Sequence, residues 1–254
     1  MTKWSGLDHR WLAVCVCAAI ALILPIVIAP AAPAGPRAVV ELFTSQGCSS
    51  CPDADRVVGE LARDPSVIAL SLPVDYWDYL GLKDTLADAR FTARQRAYSA
   101  QRGDREIYTP QLIVNGQQQV VGSDRAEIDR AIRASAQQSD AMSVPVALSR
   151  EGNELKVTVP QGQSGVSGEV WVCSIARAVP ITIGRGENRG RSVTYHNVVR
   201  NWLKLGDWHG QPAHWNVPLE NLAGEGVDGA VVFVQNGNRD HPGTMLGAAL
   251  TTLH

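Results

Sequence analysis

Apolar and polar positions change period along this chain, and each change marks an element. Residues 37–45, RAVVELFTS, form a short run of β-branched and apolar side chains, as a buried strand requires. In the following DADRVVGELARD the period lengthens, and Val57, Val58 and Leu61 share one face. That spacing predicts an amphipathic helix ending before Pro65, with Pro52 in its first turn, where a missing N–H costs nothing. SVIALSLPVD (66–75) is a second apolar strand, and Leu86, Phe91 and Tyr98 at helical intervals predict a long helix over roughly Thr85 to Arg102. Asn115-Gly116, set between the apolar runs of TPQLIVNGQQQVVG, is a hairpin signal. A last helix opens at Asp124, three residues before Glu127, with Ile128 and Ile132 one turn apart. The predicted order is β-α-β-α-β-β-α.

Beyond Ser139 the helical period disappears. VPVALS, ELKVTVP, GEVWVCSIA, SVTYHNVV, AVVFVQ and MLGAALTT are short strand-like runs separated by turns rich in Gly and Asn. They predict a mainly β, sandwich-like domain. The chain is thus divided into an α/β domain at 37–140 and a β-rich domain at 144–254, with the boundary near Asp140 to Ser143.

Residues 1–34 have a different texture. Lys3 and Arg10 precede an uncharged apolar run from Trp11 to Ala29, and Ala32 and Ala34 have the small-x-small spacing of a signal-peptidase site. The segment predicts export, to the periplasm or another extracytoplasmic space, with a cut after Ala34. The run also approaches the ~20 residues that span a bilayer, so an uncleaved anchor is the alternative, and membrane contact is expected only through this segment. Export matters for the cysteines, because disulfides persist outside the reducing cytosol. Of five cysteines, Cys15 and Cys17 lie inside the apolar run, leaving Cys48, Cys51 and Cys173. With 23 basic and 25 acidic residues, the overall charge gives no reason to expect a nucleic-acid partner.

The candidate chemistry sits in FTSQGCSSCPDAD. A C-x-x-C pair at a strand–helix junction places its first sulfur beside the free N–H groups of the helix start, which favour a thiolate. Cys48 is therefore the expected nucleophile and Cys51 the resolving thiol of a thiol–disulfide exchange. Half of a zinc site has the same spacing, but residues 52–139 contain neither Cys nor His. No cofactor is expected. Cu(I) or Zn bound by the pair, alone or with a His among His196, His209, His214 and His241, is the alternative. Thr109-Pro110 opens a strand, where a cis bond would present backbone to an extended peptide; a trans proline on an edge strand is the simpler reading of the residues alone. VDYWDY places Trp77 at a strand end as a candidate substrate contact, with Asp75 either a proton acceptor for Cys51 or a strand-end hydrogen-bond partner. Cys173, in an apolar strand, is expected to be buried and inert. GRGENRGRS (184–192) is read as a solvated loop or as an anion site formed by Arg185, Arg189 and Arg191.

Four stretches, VVELFTSQGCSSCPDAD, LPVDYWDYLGLKD, YTPQLIVNG and RGRSVTYHNVVRNWLKLGDW, resemble a family of exported bacterial thioredoxin-like proteins catalogued as a domain of unknown function. The resemblance runs from about Val39 to the C-terminus. It implies a thioredoxin fold with an appended β-rich domain, Cys48 as nucleophile, Cys51 as resolving cysteine, and Pro110, following Thr109, as a cis proline. It implies no substrate. Ser49-Ser50 separates the cysteines where thioredoxins have Gly-Pro, leaving the direction of electron flow open. No Trp precedes Cys48, which predicts a more open sulfur than in thioredoxin, and Asp53 and Asp55 would oppose a thiolate if close to it. The expected function is thiol–disulfide oxidoreduction on client or redox-partner proteins in the cell envelope. A noncatalytic protein-binding module with a structural disulfide is the further alternative.

Overall fold

In the computed structural model, the described residues are 1–2, 35–78, 81 and 83–253. The predicted signal or anchor segment lies almost wholly outside them, and among the described residues no helix is long and apolar enough to cross a membrane. Residues 34–254 form one compact unit.

The first half has the predicted order: β1 (Ala38–Thr44), α1 (Cys51–Leu61), β2 (Val67–Pro73), α2 (Ala89–Arg102), β3 (Gln111–Val114), β4 (Gln118–Val121) and α3 (Arg125–Ser135). Strands β1 and β2 run parallel, from Ala38↔Val67 to Thr44↔Pro73, and β3 lies antiparallel on the other side of β1. Asn115 and Gly116 both have positive φ, 47° and 71°, as the tight β3–β4 turn requires. Asp124 caps α3 by accepting from the Glu127 N–H at 2.9 Å. The second long helix begins at Ala89, not near Thr85, because Asp88 is its cap and accepts from the Arg90 N–H at 2.8 Å.

Seven further strands follow: β5 (Ala147–Glu151), β6 (Glu154–Val159), β7 (Gly168–Thr182), β8 (Ser192–Trp208), β9 (Ala213–Pro218), β10 (Gly229–Asn238) and β11 (His241–Thr252). Four of them share the first half's sheet, giving a mixed eight-stranded sheet in the order β11-β10-β7-β8-β2-β1-β3-β4. The junction is narrow. β8 meets β2 at Ser71↔Val198, and two side-chain bonds reinforce it: Asn197 Nδ2 donates to the Ala69 carbonyl and Ser71 Oγ donates to the His196 carbonyl, each at 2.8 Å. Strands β5, β6 and β9 form a separate three-stranded sheet. Its inward residues Leu155, Val157, Val159 and Val217 pack with Val170, Val172, Val232 and Val234 of the large sheet, so the sandwich-like pattern of the second half is two sheets face to face.

Both faces of β1 are buried, which explains its nearly unbroken apolar run. Val40 and Leu42 face α1 and α3, while Val39 and Phe43 share the opposite face with Phe91 and Tyr98 of α2. Glu41 breaks that run, and its partner explains why it is tolerated. Arg94 of α2 grips the carboxylate with two bonds, Nε to Oε1 at 2.6 Å and Nη2 to Oε2 at 3.0 Å, and also donates to Gln235 Oε1 of β10 at 3.0 Å. Its guanidinium lies 4.6 Å from the Trp202 ring centre and 4.8 Å from that of Tyr98, within cation–π range. One buried cation therefore ties β1, α2, β8 and β10 together.

Candidate active site

Cys48 and Cys51 are joined in a disulfide at the start of α1. The intervening Ser49 and Ser50 are exposed, but the cysteines are not: Cys48 retains 1 % of its accessible surface and Cys51 none. This corrects the expectation of an open sulfur, for two reasons. Trp77 packs closely on the residue before Cys48: a methyl built on Gly47 would lie 3.1 Å from Trp77 Cβ. The second cover is the loop joining β7 to β8. There Asn188, itself buried, donates its side-chain amide to the carbonyls of Gln46 at 3.0 Å and Cys48 at 2.7 Å. Both residues of the expected Thr109-Pro110 contact lie nearby. The peptide bond between them is cis. Trp77 Nε1 donates to Thr109 Oγ1 at 2.9 Å, and a methyl built at Gly122 would lie 3.2 Å from both Pro110 Cβ and Ala54 Cβ, placing the proline against the first turns of α1.

The two aspartates of the motif separate. Asp53 is exposed, and Asp55, one helical turn beyond Cys51, is wholly buried. Its Oδ1 accepts from Thr44 Oγ1 at 2.8 Å and its Oδ2 has no partner. Burial pushes the Asp55 carboxyl up to about 8; the Thr44 hydrogen bond opposes this and the neighbouring Asp84 adds to it. Asp84 is also raised by burial, although it accepts from the backbone N–H groups of Gln46 and Leu86, each at 2.8 Å. Tyr195 of β8 completes this buried acidic pocket, its hydroxyl raised by burial and then by the two carboxyls. Asp75, the sequence candidate for a proton acceptor, instead accepts from Thr92 Oγ1 on α2.

The remaining candidates are dispersed. Cys173 is buried and unpaired in β7, and burial raises its thiol well above the usual range. Arg185, Arg189 and Arg191 are exposed on the β7–β8 loop, and the residue of that loop that reaches the cysteine pair is Asn188. Among the described residues no group of three or more His, Cys, Asp or Glu is placed to hold a metal. Nothing local in the sequence marks Asn188, because its partner lies 140 positions away. Asp55 carried a usable signal: a carboxylate one turn from Cys51 on the face occupied by Ala54, Val58 and Leu61.

Residues 39–235 match the family described as "Protein of unknown function (DUF1223)", and the chain belongs to it. It is 31% identical over 96 residues to a probable thioredoxin of Archaeoglobus fulgidus, a match covering 37% of this chain and 86% of that protein. A crystal structure of a protein from Agrobacterium tumefaciens is similar, with 32% identity, a TM-score of 0.77, and coverage of 86% of this chain and 95% of that one. HBP35 of Porphyromonas gingivalis shares the fold at 14% identity and a TM-score of 0.51, over 86% of this chain and 76% of that one.

Proposed function

We propose that this member of the family is an exported, thioredoxin-like thiol–disulfide oxidoreductase acting on proteins of the cell envelope. The observation that carries the reading is the Cys48–Cys51 disulfide at the N-terminus of α1 with a protonatable carboxyl, Asp55, buried one turn behind it. The similarity of a 96-residue stretch to a probable thioredoxin supports it. Export rests on the N-terminal sequence alone.

In the reducing direction, the Cys48 thiolate attacks one sulfur of a client disulfide, forming a mixed disulfide and releasing the client's other sulfur as a thiolate. The Cys51 thiolate then attacks Cys48 Sγ, expels the client's remaining sulfur as a thiolate, and leaves the Cys48–Cys51 disulfide. The N–H groups of the first helical turn stabilise the Cys48 anion. Cys51 is wholly buried and must lose a proton before it can attack. Asp55 is the acceptor, and a carboxyl titrating near the range of a thiol is matched to that transfer. Thr109, Pro110 and Trp77 form the rim on which the client backbone is held. The oxidising direction is the same sequence reversed.

The test is trapping. Cys51→Ser accumulates a mixed disulfide with a disulfide-bearing client protein, and Cys48→Ser abolishes exchange. Wild-type behaviour in both variants refutes the reading. The near-complete burial of both sulfurs favours a second reading, a binding module whose disulfide is structural. That reading predicts a bond resistant to reduction by glutathione.

A further inference from the structure

A cleft of about 750 Å³ opens beside the cysteine pair, between α1 and the start of β8. One wall is helical, from Pro52, the residue after Cys51, through Arg56 to Glu60, and is extended by Arg63 in the turn just past the end of α1. At 1.5 Å per residue the helical part of that wall is roughly 12 Å long. The other wall is strand, from Arg191 through Thr194 to His196, and its floor is closed where the His196 ring meets Gly59.

Two properties of the cleft restrict its occupant. The first is an open strand edge. β8 pairs with β7 along one side from Ser192 onward, but on its other side it reaches β2 only at Ser71↔Val198. Among the described residues, Ser192–Tyr195 therefore has no strand partner on the side facing the cleft, and such an edge accepts an extended chain. The second is charge. Three guanidiniums, from Arg56, Arg63 and Arg191, line the cleft against one carboxylate, Glu60. That carboxylate is already shared: Oε1 accepts from Arg56 at 2.6 Å and Oε2 from Arg125 at 3.1 Å. Arg63 and Arg191 are exposed and have no side-chain partner among the described residues.

We propose that this cleft docks an extended, acidic segment of the client protein, added along the open edge of β8 and leading its disulfide to Cys48. The proposal deepens the oxidoreductase reading and rests on it for the identity of the occupant. A strand entering here would pair backbone to backbone with Ser192–Tyr195 and place alternate carboxylates against Arg63 and Arg191. Its end would emerge at Pro52, next to the redox pair. Selection of the client would thus depend on sequence beside the disulfide, with the disulfide itself read at the opposite rim by Thr109 and Trp77.

Docking is measured separately from chemistry. A fluorescein-labelled, cysteine-free peptide alternating Glu with Thr and Val is titrated with the full chain and followed by fluorescence anisotropy. It should bind at least about tenfold tighter than the same peptide with Gln for Glu, and the difference should fade as salt screens the arginines. The variants Arg63→Glu and Arg191→Glu, both at exposed positions, should abolish the preference, and Arg63→Glu, which lies outside the β7–β8 loop, should leave reduction of hydroxyethyl disulfide, a small neutral probe, unchanged. Equal binding of the Glu and Gln peptides, or equal binding by wild type and both variants, overturns the proposal. So does binding of inorganic phosphate or phosphatidylglycerol vesicles through these arginines without peptide binding. Failure to reduce hydroxyethyl disulfide refutes the oxidoreductase reading instead, whatever the peptide does.

Discussion

The side-chain amide of Asn188 donates a hydrogen bond of 2.7 Å to the carbonyl of Cys48, 140 positions earlier in the chain. Through this bond and its companion to the Gln46 carbonyl, the β7–β8 loop lies over the redox pair. If the pair acts in exchange as proposed, a client sulfur would need this loop displaced to reach Cys48. Removing the amide should loosen the cover: Asn188→Ala is expected to speed reduction of the disulfide by dithiothreitol about five- to tenfold, the order of effect for losing about 1 kcal/mol or slightly more of hydrogen bonding. Stopped-flow reduction kinetics of wild type and variant make the comparison. Identical rates would mean that the loop does not limit access.

Asp55 predicts a pH dependence with a definite sign. Its folded-state pKa, about 8, lies above the unfolded value of 3.8, so the native state holds a proton that the unfolded chain has released. The associated stability is fully present below about pH 4 and is lost progressively as pH rises through about 8. In denaturant titrations from pH 4 to 9, the oxidised wild type should lose stability relative to Asp55→Asn. The variant should also slow the resolving step and shift its pH profile, since an amide accepts no proton from Cys51. Parallel stability curves would place the Asp55 pKa near its ordinary value.

The buried pair Glu41–Arg94 should be costly to break from one side. Arg94→Met keeps much of the packing against Trp202 but leaves the buried Glu41 carboxylate without its counter-ion, held only by the Tyr98 hydroxyl among the described residues; Glu41→Gln leaves the guanidinium without its counter-ion. Each is expected to cost about 3–5 kcal/mol of unfolding free energy. Urea titration measures the loss, and the double variant should cost less than the sum of the singles.

The hairpin turn offers a backbone test. Gly116 has φ +71°, and a methyl group there would collide with the carbonyl oxygen of Gly243. Gly116→Ala combines the strain of a left-handed residue with that collision and is expected to cost about 2 kcal/mol or more. Loss of less than about 0.5 kcal/mol by thermal unfolding would show that the turn and the start of β11 move apart readily.

What the sequence made legible was local. The Pro52 helix start, the Asn115-Gly116 turn and the Asp124 cap each depend on residues within one turn of one another, and each is found where expected. The sharing of one sheet by both halves was not legible, because a single strand register, Ser71↔Val198, joins segments 127 positions apart. Burial of Cys48 escaped for the same reason: its covers, Trp77 and Asn188, arrive from a loop and from the tip of a long hairpin. Glu41 inside an apolar strand announced a buried charge, but its partner on α2 is identified only by packing. The N-terminal segment keeps its reading from sequence alone.

The proposed function requires the Cys48–Cys51 bond to exchange electrons with partner proteins. Its most direct test is the reduction potential of that bond, obtained by equilibrating the full chain with glutathione redox buffers and quantifying dithiol and disulfide. A redox-active pair should show a potential well above about −300 mV, in the range where exchange with cellular thiols is reversible. A potential below about −300 mV would mark the disulfide as structural and contradict it.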